Sequence, residues 1–333
     1  GVRVINTDIE TDSGSITLTG TGGQDSRDSR GIVAQNTDFR LLSDSGDITL
    51  IDEDVTGAGS YANREYKGLW LAPDSDGDIV LGADGTDVTS ASGDITIQAD
   101  KLQANNHTVS AQSSGALVVE SVGSDFVSDS TINIEATGDH FSSIRLGKSG
   151  NTGELTSNAE LTADGTFASH GPLTLGDSIT TSGTQDYNGD VTIAGSSIML
   201  SSMGSSSTGG AMTFTGDIDG ASANANDLVL LSGDKTINVT GGVGSTVALS
   251  RLFLGTTEQN GAVAQTGNVT IGGGVNVSEL ETADTNFDLK LASDASKAGA
   301  VNIGSDTTLN NTGTVQIGGG DYGQNARISG KLD

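Results

Sequence analysis

A short phrase returns along this chain at irregular intervals, and it constrains the fold more than any other feature. Ser13-Gly14-Ser15-Ile16-Thr17-Leu18 comes back as Ser45-Gly46-Asp47-Ile48-Thr49-Leu50, as Asp76-Gly77-Asp78-Ile79-Val80-Leu81 and as Ser92-Gly93-Asp94-Ile95-Thr96-Ile97. Later copies are Asn188-Gly189-Asp190-Val191-Thr192-Ile193, Thr266-Gly267-Asn268-Val269-Thr270-Ile271 and Thr312-Gly313-Thr314-Val315-Gln316-Ile317. Each reads as a turn followed by a strand. Gly accepts the positive φ of a tight corner, and Asp or Asn beside it can bond its own backbone. The next three residues alternate apolar, polar, apolar, so two aliphatic side chains face one way and the residue between them the other. A unit this small cannot bury its apolar face alone and must stack on its neighbours. The phrase therefore predicts a solenoid and forms one side of its coil.

Ile16 to Ile48 spans 32 residues, Ile48 to Ile79 31, Ile79 to Ile95 16 and Val269 to Val301 32. Such irregularity excludes helical repeats of fixed length, and no stretch carries their 3.6-residue apolar period. Strand-turn units joined by loops of variable size predict an all-β parallel β-helix. Its rungs would take roughly 20 to 25 residues and stack about 4.8 Å apart. The chain would then make on the order of 15 rungs, in a rod about 70 Å long. Ile16, Ile48, Ile79, Ile95, Val191, Val269 and Val315 are expected to point into the coil, each with the next residue pointing out. Composition agrees. Gly is 49 of 333 residues, Pro only 2 and aromatics 4%, which suits a narrow coil filled by aliphatic ladders. The excess of small polar residues is also the composition of a disordered chain, but the regular Ile-x-Leu pairs argue against that here.

Asp and Glu number 43 against 15 Lys and Arg, a formal charge of −28. Nucleic acid and anionic membranes are poor partners for such a surface, because affinity for phosphate needs clustered Lys and Arg. Acidity favours solubility, repulsion between copies and attraction for divalent cations. There is no cysteine, which excludes disulfides, thiolate catalysis and thiolate metal sites. No 18-residue apolar run encodes a transmembrane helix. Both ends read as cut from a longer array, with neighbouring copies or flanking repeats of the same protein expected end to end. The whole chain, 1–333, reads as one β-solenoid segment, with more irregular rungs and longer loops over 1–150 and more regular rungs over 151–333.

The cleaner half carries Leu173-Thr174-Leu175-Gly176, Met212-Thr213-Phe214-Thr215-Gly216-Asp217-Ile218, Leu228-Val229-Leu230-Leu231 and Ile237-Asn238-Val239-Thr240-Gly241-Gly242. This cadence, best over 171–320, resembles the repeats of giant filamentous-haemagglutinin-like exoproteins of bacteria. The resemblance implies a right-handed β-helical shaft, an adhesive role, and a location outside the cell or on the bacterial surface. It implies host or cell-surface glycans or proteins as partners. The Asn-Pro-containing secretion signature of such families is not found, so the resemblance makes this piece shaft and not secretion domain.

Candidate chemistry is sparse. His107, His140 and His170 are scattered and make no metal spacing. The serious alternative is a polysaccharide-degrading hydrolase or lyase on a β-helix. Asn6-Thr7-Asp8 and Asn36-Thr37-Asp38 echo a pectin-hydrolase tripeptide, yet no Asp-Asp follows and no acid-base pair can be nominated, so no catalytic residue is assigned. Asp74, Asp76 and Asp78 place carboxylates at alternate positions, as calcium loops do, and make calcium the one cofactor the sequence admits. They lack the Gly at position six and the Glu at position twelve of the EF-hand pattern. Gly318 to Gly323 only partly matches a calcium-binding nonapeptide. Asn238, Asn268 and Asn276 open N-glycosylation tripeptides that a strand rich in Asn and Thr produces by chance. One segment breaks the cadence: Tyr61 to Trp70 holds the only Trp and two of the four Tyr. Tyr61, Tyr66 and Trp70 suit sugar stacking or a protein contact, while a loop folding Leu69 and Trp70 over exposed aliphatics is the plainer reading.

Overall fold

The computed structural model describes residues 2–5, 7–22, 30–34, 38–53, 68–71, 79–85, 90–103, 109–126, 130–136, 141–204, 209–255, 265–282, 286–293, 300–303, 308–309, 313–318 and 326–328. Among these residues every regular element is a strand, and no helix is long and apolar enough to cross a membrane. Two compact units divide the chain, Gly1–Thr162 and Ala163–Asp333.

The first unit is wound from strands taken three at a time. β1 (Val2–Val4), β2 (Thr7–Thr11) and β3 (Ile16–Thr21) make one turn, and β4 (Arg30–Ala34), β5 (Phe39–Ser43) and β6 (Ile48–Glu53) the next. β7 (Gly68–Leu71), β8 (Ile79–Gly82) and β9 (Ile95–Gln98) follow, then β10 (Leu102–Gln103), β11 (Val109–Gln112) and β12 (Ala116–Glu120). β13 (Ser130–Ile132), β14 (Ile134–Ala136) and β15 (Phe141–Leu146) complete a fifth, and β16 (Leu155–Ser157) begins another. Each strand pairs in parallel with the strand three earlier and three later. The three resulting stacks run β1-β4-β7-β10-β13-β16, β2-β5-β8-β11-β14 and β3-β6-β9-β12-β15. Parallel partners cannot be joined by a tight hairpin, and here the other two sides of the coil serve as the crossover.

The second unit takes up β17 (Leu161–His170) from its third residue and continues with β18 (Leu173–Leu175), β19 (Ile179–Thr181), β20 (Gln185–Asn188), β21 (Val191–Ile193), β22 (Ser197–Ser201), β23 (Met212–Phe214), β24 (Ile218–Gly220) and β25 (Asp227–Leu231). β26 (Ile237–Val239), β27 (Leu249–Leu254), β28 (Val269–Ile271), β29 (Val275–Thr282), β30 (Leu289–Leu291), β31 (Val301–Ile303), β32 (Thr308–Leu309), β33 (Val315–Ile317) and β34 (Ala326–Ile328) complete it. One stack is β17-β20-β23-β26-β28-β30-β33. β29 serves two stacks: Val275 to Val277 pair with β31, and Val277 to Thr282 pair with β27.

Register keeps like on like. Ile16 lies opposite Ile48 and Ile48 opposite Ile95, while Gln185, Met212, Ile237, Val269 and Leu289 follow one another inside the second unit, all fully buried. Each such Val, Leu, Ile or Phe contributes about 1.5–3 kcal/mol by leaving water. Thr17, Thr49, Thr96, Thr192 and Thr270 point away from the core, as the alternation predicts.

Three expectations need correction. Val315 is 37% exposed and not a core residue. The phrase does not mark one side of the coil: Ile16, Ile48 and Ile95 share a stack, but Ile79 belongs to another, paired with Phe39 and Val109. Turn length is also wider than the expected 20 to 25 residues, from 18 between Leu173 and Val191 to 47 between Ile48 and Ile95. Ladder register needs only that strands meet, and the corners absorb the difference.

Candidate functional site

The polar side chains of the recurring phrase face the turn that follows. Asp47 Oδ1 accepts the N–H of Asp94 at 3.0 Å, and the Asp94 carbonyl accepts the N–H of Ile48 at 2.8 Å. The same pair of bonds joins Asp190 to Asp217, at 2.9 and 2.8 Å. It joins Asn268 to Asp288, at 3.0 and 2.9 Å, and Asp288 to Thr314, both at 2.9 Å. Ser15 does the same for Asp47 through its hydroxyl, at 3.3 and 2.8 Å. Asp94, Asp217 and Asp219 each reach one turn further, to the N–H groups of Ala116, Gly242 and Thr246. An exposed corner has amides with no strand partner, and a carboxylate accepts from them more strongly than a neutral group. These acidic corners are clasps between turns.

The glycine before each clasp is needed for close approach, which corrects the positive-φ expectation. A Cβ on Gly46 would lie 2.1 Å from the Gly14 carbonyl oxygen, and one on Gly93 2.1 Å from that of Gly46. Neither residue has a positive φ. The corners stack so tightly that the neighbouring carbonyl occupies the side-chain position.

Burial works to raise the pKa of the Glu120 carboxyl, yet hydrogen bonds from Gln98 and Arg145 and the charges of Arg145 and Lys148 outweigh it and leave the pKa below the ordinary carboxylate range. Asp125 is held low by the Thr152 backbone N–H, with Ser124 and the Thr152 hydroxyl assisting. Arg251 sits between Asp227 and Glu281, each at 3.5 Å, with its guanidinium over the Phe253 ring.

Inside the second unit, Tyr187 is wholly buried and stacks on Phe214 at 4.3 Å, with Phe167 tilted against its other side at 5.2 Å. Its hydroxyl donates to Gln185 Oε1 at 2.9 Å, and burial pushes its pKa up. Gln185 Nε2 donates to the Ser201 carbonyl and to Thr181 Oγ1. Gln265 repeats the device, accepting from the Ser232 N–H and donating to the Gly267 carbonyl. In the first unit, a cavity of about 10 Å³ bounded by Leu69, Leu71, Ile97, Leu102, Val109 and Asn133 holds at most one water.

Of the residues singled out for binding, Tyr61, Tyr66, Asp74, Asp76 and Asp78 lie outside the described residues, as do His107, His140 and Gly319 to Gly323. Trp70 and Leu69 belong to β7 and not to a covering loop: Leu69 is a core residue, 1% exposed, and Trp70 is half-buried and faces outward between Val33 and Gln103. His170 is half-buried at the end of β17, opposite Asn188. Asp8 forms an ion pair with Arg40 at 3.7 Å, and Arg40 also pairs with Asp84. Asp38 lends its backbone carbonyl to the Thr7 N–H. Asn268 of the glycosylation tripeptides already uses its amide oxygen as a clasp. Among the described residues no group of three or more His, Asp and Glu is placed to hold a metal ion. The clasping role of Asp47, Asp94, Asp190 and Asp217 and the buried Gln185–Tyr187 pair were not anticipated. The Gln-x-Tyr alternation just before Asn188-Gly189 is the one signal that pointed to that pair. Comparison with protein-family models, curated proteins and solved structures finds no match.

Proposed function

We propose that this chain is a right-handed parallel β-helix serving as a structural and adhesive shaft segment of a secreted, cell-surface or filament-forming bacterial protein, without catalysis. The observation that carries this reading is the use made of the corners. In turn after turn, polar groups with the chemistry of a binding site accept backbone amides from the neighbouring turn and so resist separation of turns. Right-handed winding is supported by the strong preference of parallel strand-crossover-strand connections for that hand. Neighbouring copies or flanking repeats are the partners this reading implies. The half-exposed ladder residues Ile9 and Leu18, against buried Leu41 and Leu50 one turn on, support it.

Two measurements test it. Electron microscopy of the purified protein should display elongated particles, and globular particles would overturn the shaft. Incubated with acidic and neutral polysaccharides, the protein should release no reducing ends above background. Turnover abolished by Asp8→Asn or Asp38→Asn would instead establish a polysaccharide-degrading enzyme.

A further inference from the structure

The outward row on the first stack of the first unit differs from the rest of the molecule. Arg3, Val33, Trp70, Gln103, Thr131 and Thr156 follow one another across six strands, each in register with the next. Not one is acidic, in a chain with 43 acidic residues. The outward row on the neighbouring stack carries Asp8, Arg40, Val80, Ser110 and Glu135, and that on the third ends at Gln98 and Glu120. The row thus presents an apolar platform, Val33 and Trp70, followed by an amide and two hydroxyls.

We propose that this row is a binding strip for an extended neutral polysaccharide. This deepens the adhesive part of the function given above and does not depend on the shaft. An indole ring turned out from a sheet offers a face on which the C–H side of a pyranose can stack while its ring edge stays polar. Gln103 supplies donors and an acceptor, and the two threonines supply hydroxyls, which match sugar hydroxyls without any charge. Successive strands stand about 4.8 Å apart, close to the advance of one pyranose unit along an extended chain, so successive sugars can meet successive side chains. The molecule's charge of −28 selects against polyanions, which makes a neutral glycan the fitting occupant.

Trp70 is the only tryptophan, so its fluorescence reports on this strip alone. The full chain is titrated with a neutral six-sugar β-1,4-glucan oligomer and, separately, with an oligogalacturonate of equal length. The neutral oligomer should shift the emission and protect it from acrylamide quenching, and the acidic one should do neither. Gln103→Ala combined with Thr131→Ala should weaken binding at least tenfold by calorimetry. Trp70→Phe, which keeps an aromatic platform, should weaken it less than Trp70→Ala, and Thr192→Ala in the second unit should leave it unchanged. No response to either oligomer overturns the strip, and a response to oligogalacturonate alone overturns the neutral assignment. Retention of wild type and Trp70→Ala alike on a neutral glucan surface would sink the strip but keep adhesion. Adhesion of neither to glycan or protein surfaces, with the oligomer still bound at Trp70, would sink adhesion but keep the strip.

Discussion

At Gly93 a corner depends on an atom that is not there. A methyl group would enter the space held by the Gly46 carbonyl, and backbone on both sides leaves little room to relax. Gly93→Ala should therefore cost about 1–3 kcal/mol, as overpacking does. Gly85 is a contrasting case, with φ +75° and nothing within 4 Å of its missing Cβ. Gly85→Ala should cost only the left-handed strain, about 1 kcal/mol. Denaturant midpoints of the two variants would rank them, and equal costs would contradict the steric account. The clasp can be probed the same way at Asp217, which receives the Gly242 N–H at 2.6 Å. Asp217→Ala should lose about 1 kcal/mol by leaving that amide without its acceptor, while Asp217→Asn keeps an acceptor and should lose clearly less.

Single strands here hold three to six residues for the most part, so an element is stable only through what it stacks on. β20 illustrates this with Gln185 and Tyr187, both fully buried and bonded to one another between flanking turns. Gln185→Leu should strand the Tyr187 hydroxyl and Tyr187→Phe the Gln185 oxygen, at about 1–3 kcal/mol each. Combined, the two substitutions should cost less than their sum, because no orphaned polar atom is left; a strictly additive double-mutant cycle would show that the bond contributes nothing. The coil itself was legible, because alternation at Ile48-Thr49-Leu50 or Val191-Thr192-Ile193 fixes which side chains face inward regardless of the neighbours. Which stack a copy joins was not, because Ile79 and Ile95 are spelled alike and differ only in the lengths of chain leading to them. The clasps were hidden for a related reason. A corner Asp is written identically whether it meets water, a cation or an amide one turn away, and only the register decides. Trp70 was correctly singled out, but its place in a strand could not be read from a segment whose preceding residues carry no alternation.

Across the molecule, the charge of −28 makes acid the natural perturbant. Glu120 and Asp125 are both shifted downward from ordinary values of 4.5 and 3.8, so the native state holds these protons less readily than the unfolded chain. Their contribution is complete above those values and fades as pH falls through the lower native ones. Thermal melts should therefore drop steeply below about pH 4, and Glu120→Gln with Asp125→Asn should flatten that limb while leaving the melt at pH 7 little changed. Matched millimolar calcium and magnesium should raise the melting temperature by similar small amounts through screening. A calcium-specific rise abolished by Asp76→Asn would establish a cation site. One further consequence comes from strands that meet only the turn before and the turn after. Damage in such an architecture has a short reach: an insertion between Glu53 and Gly68 or a lesion at one corner disturbs its immediate neighbours and leaves distant turns intact. The fold is forgiving of drift in its loops and strict about its ladders, so sequences that share it can diverge until only the spacing of small corners and paired aliphatics still betrays their kinship.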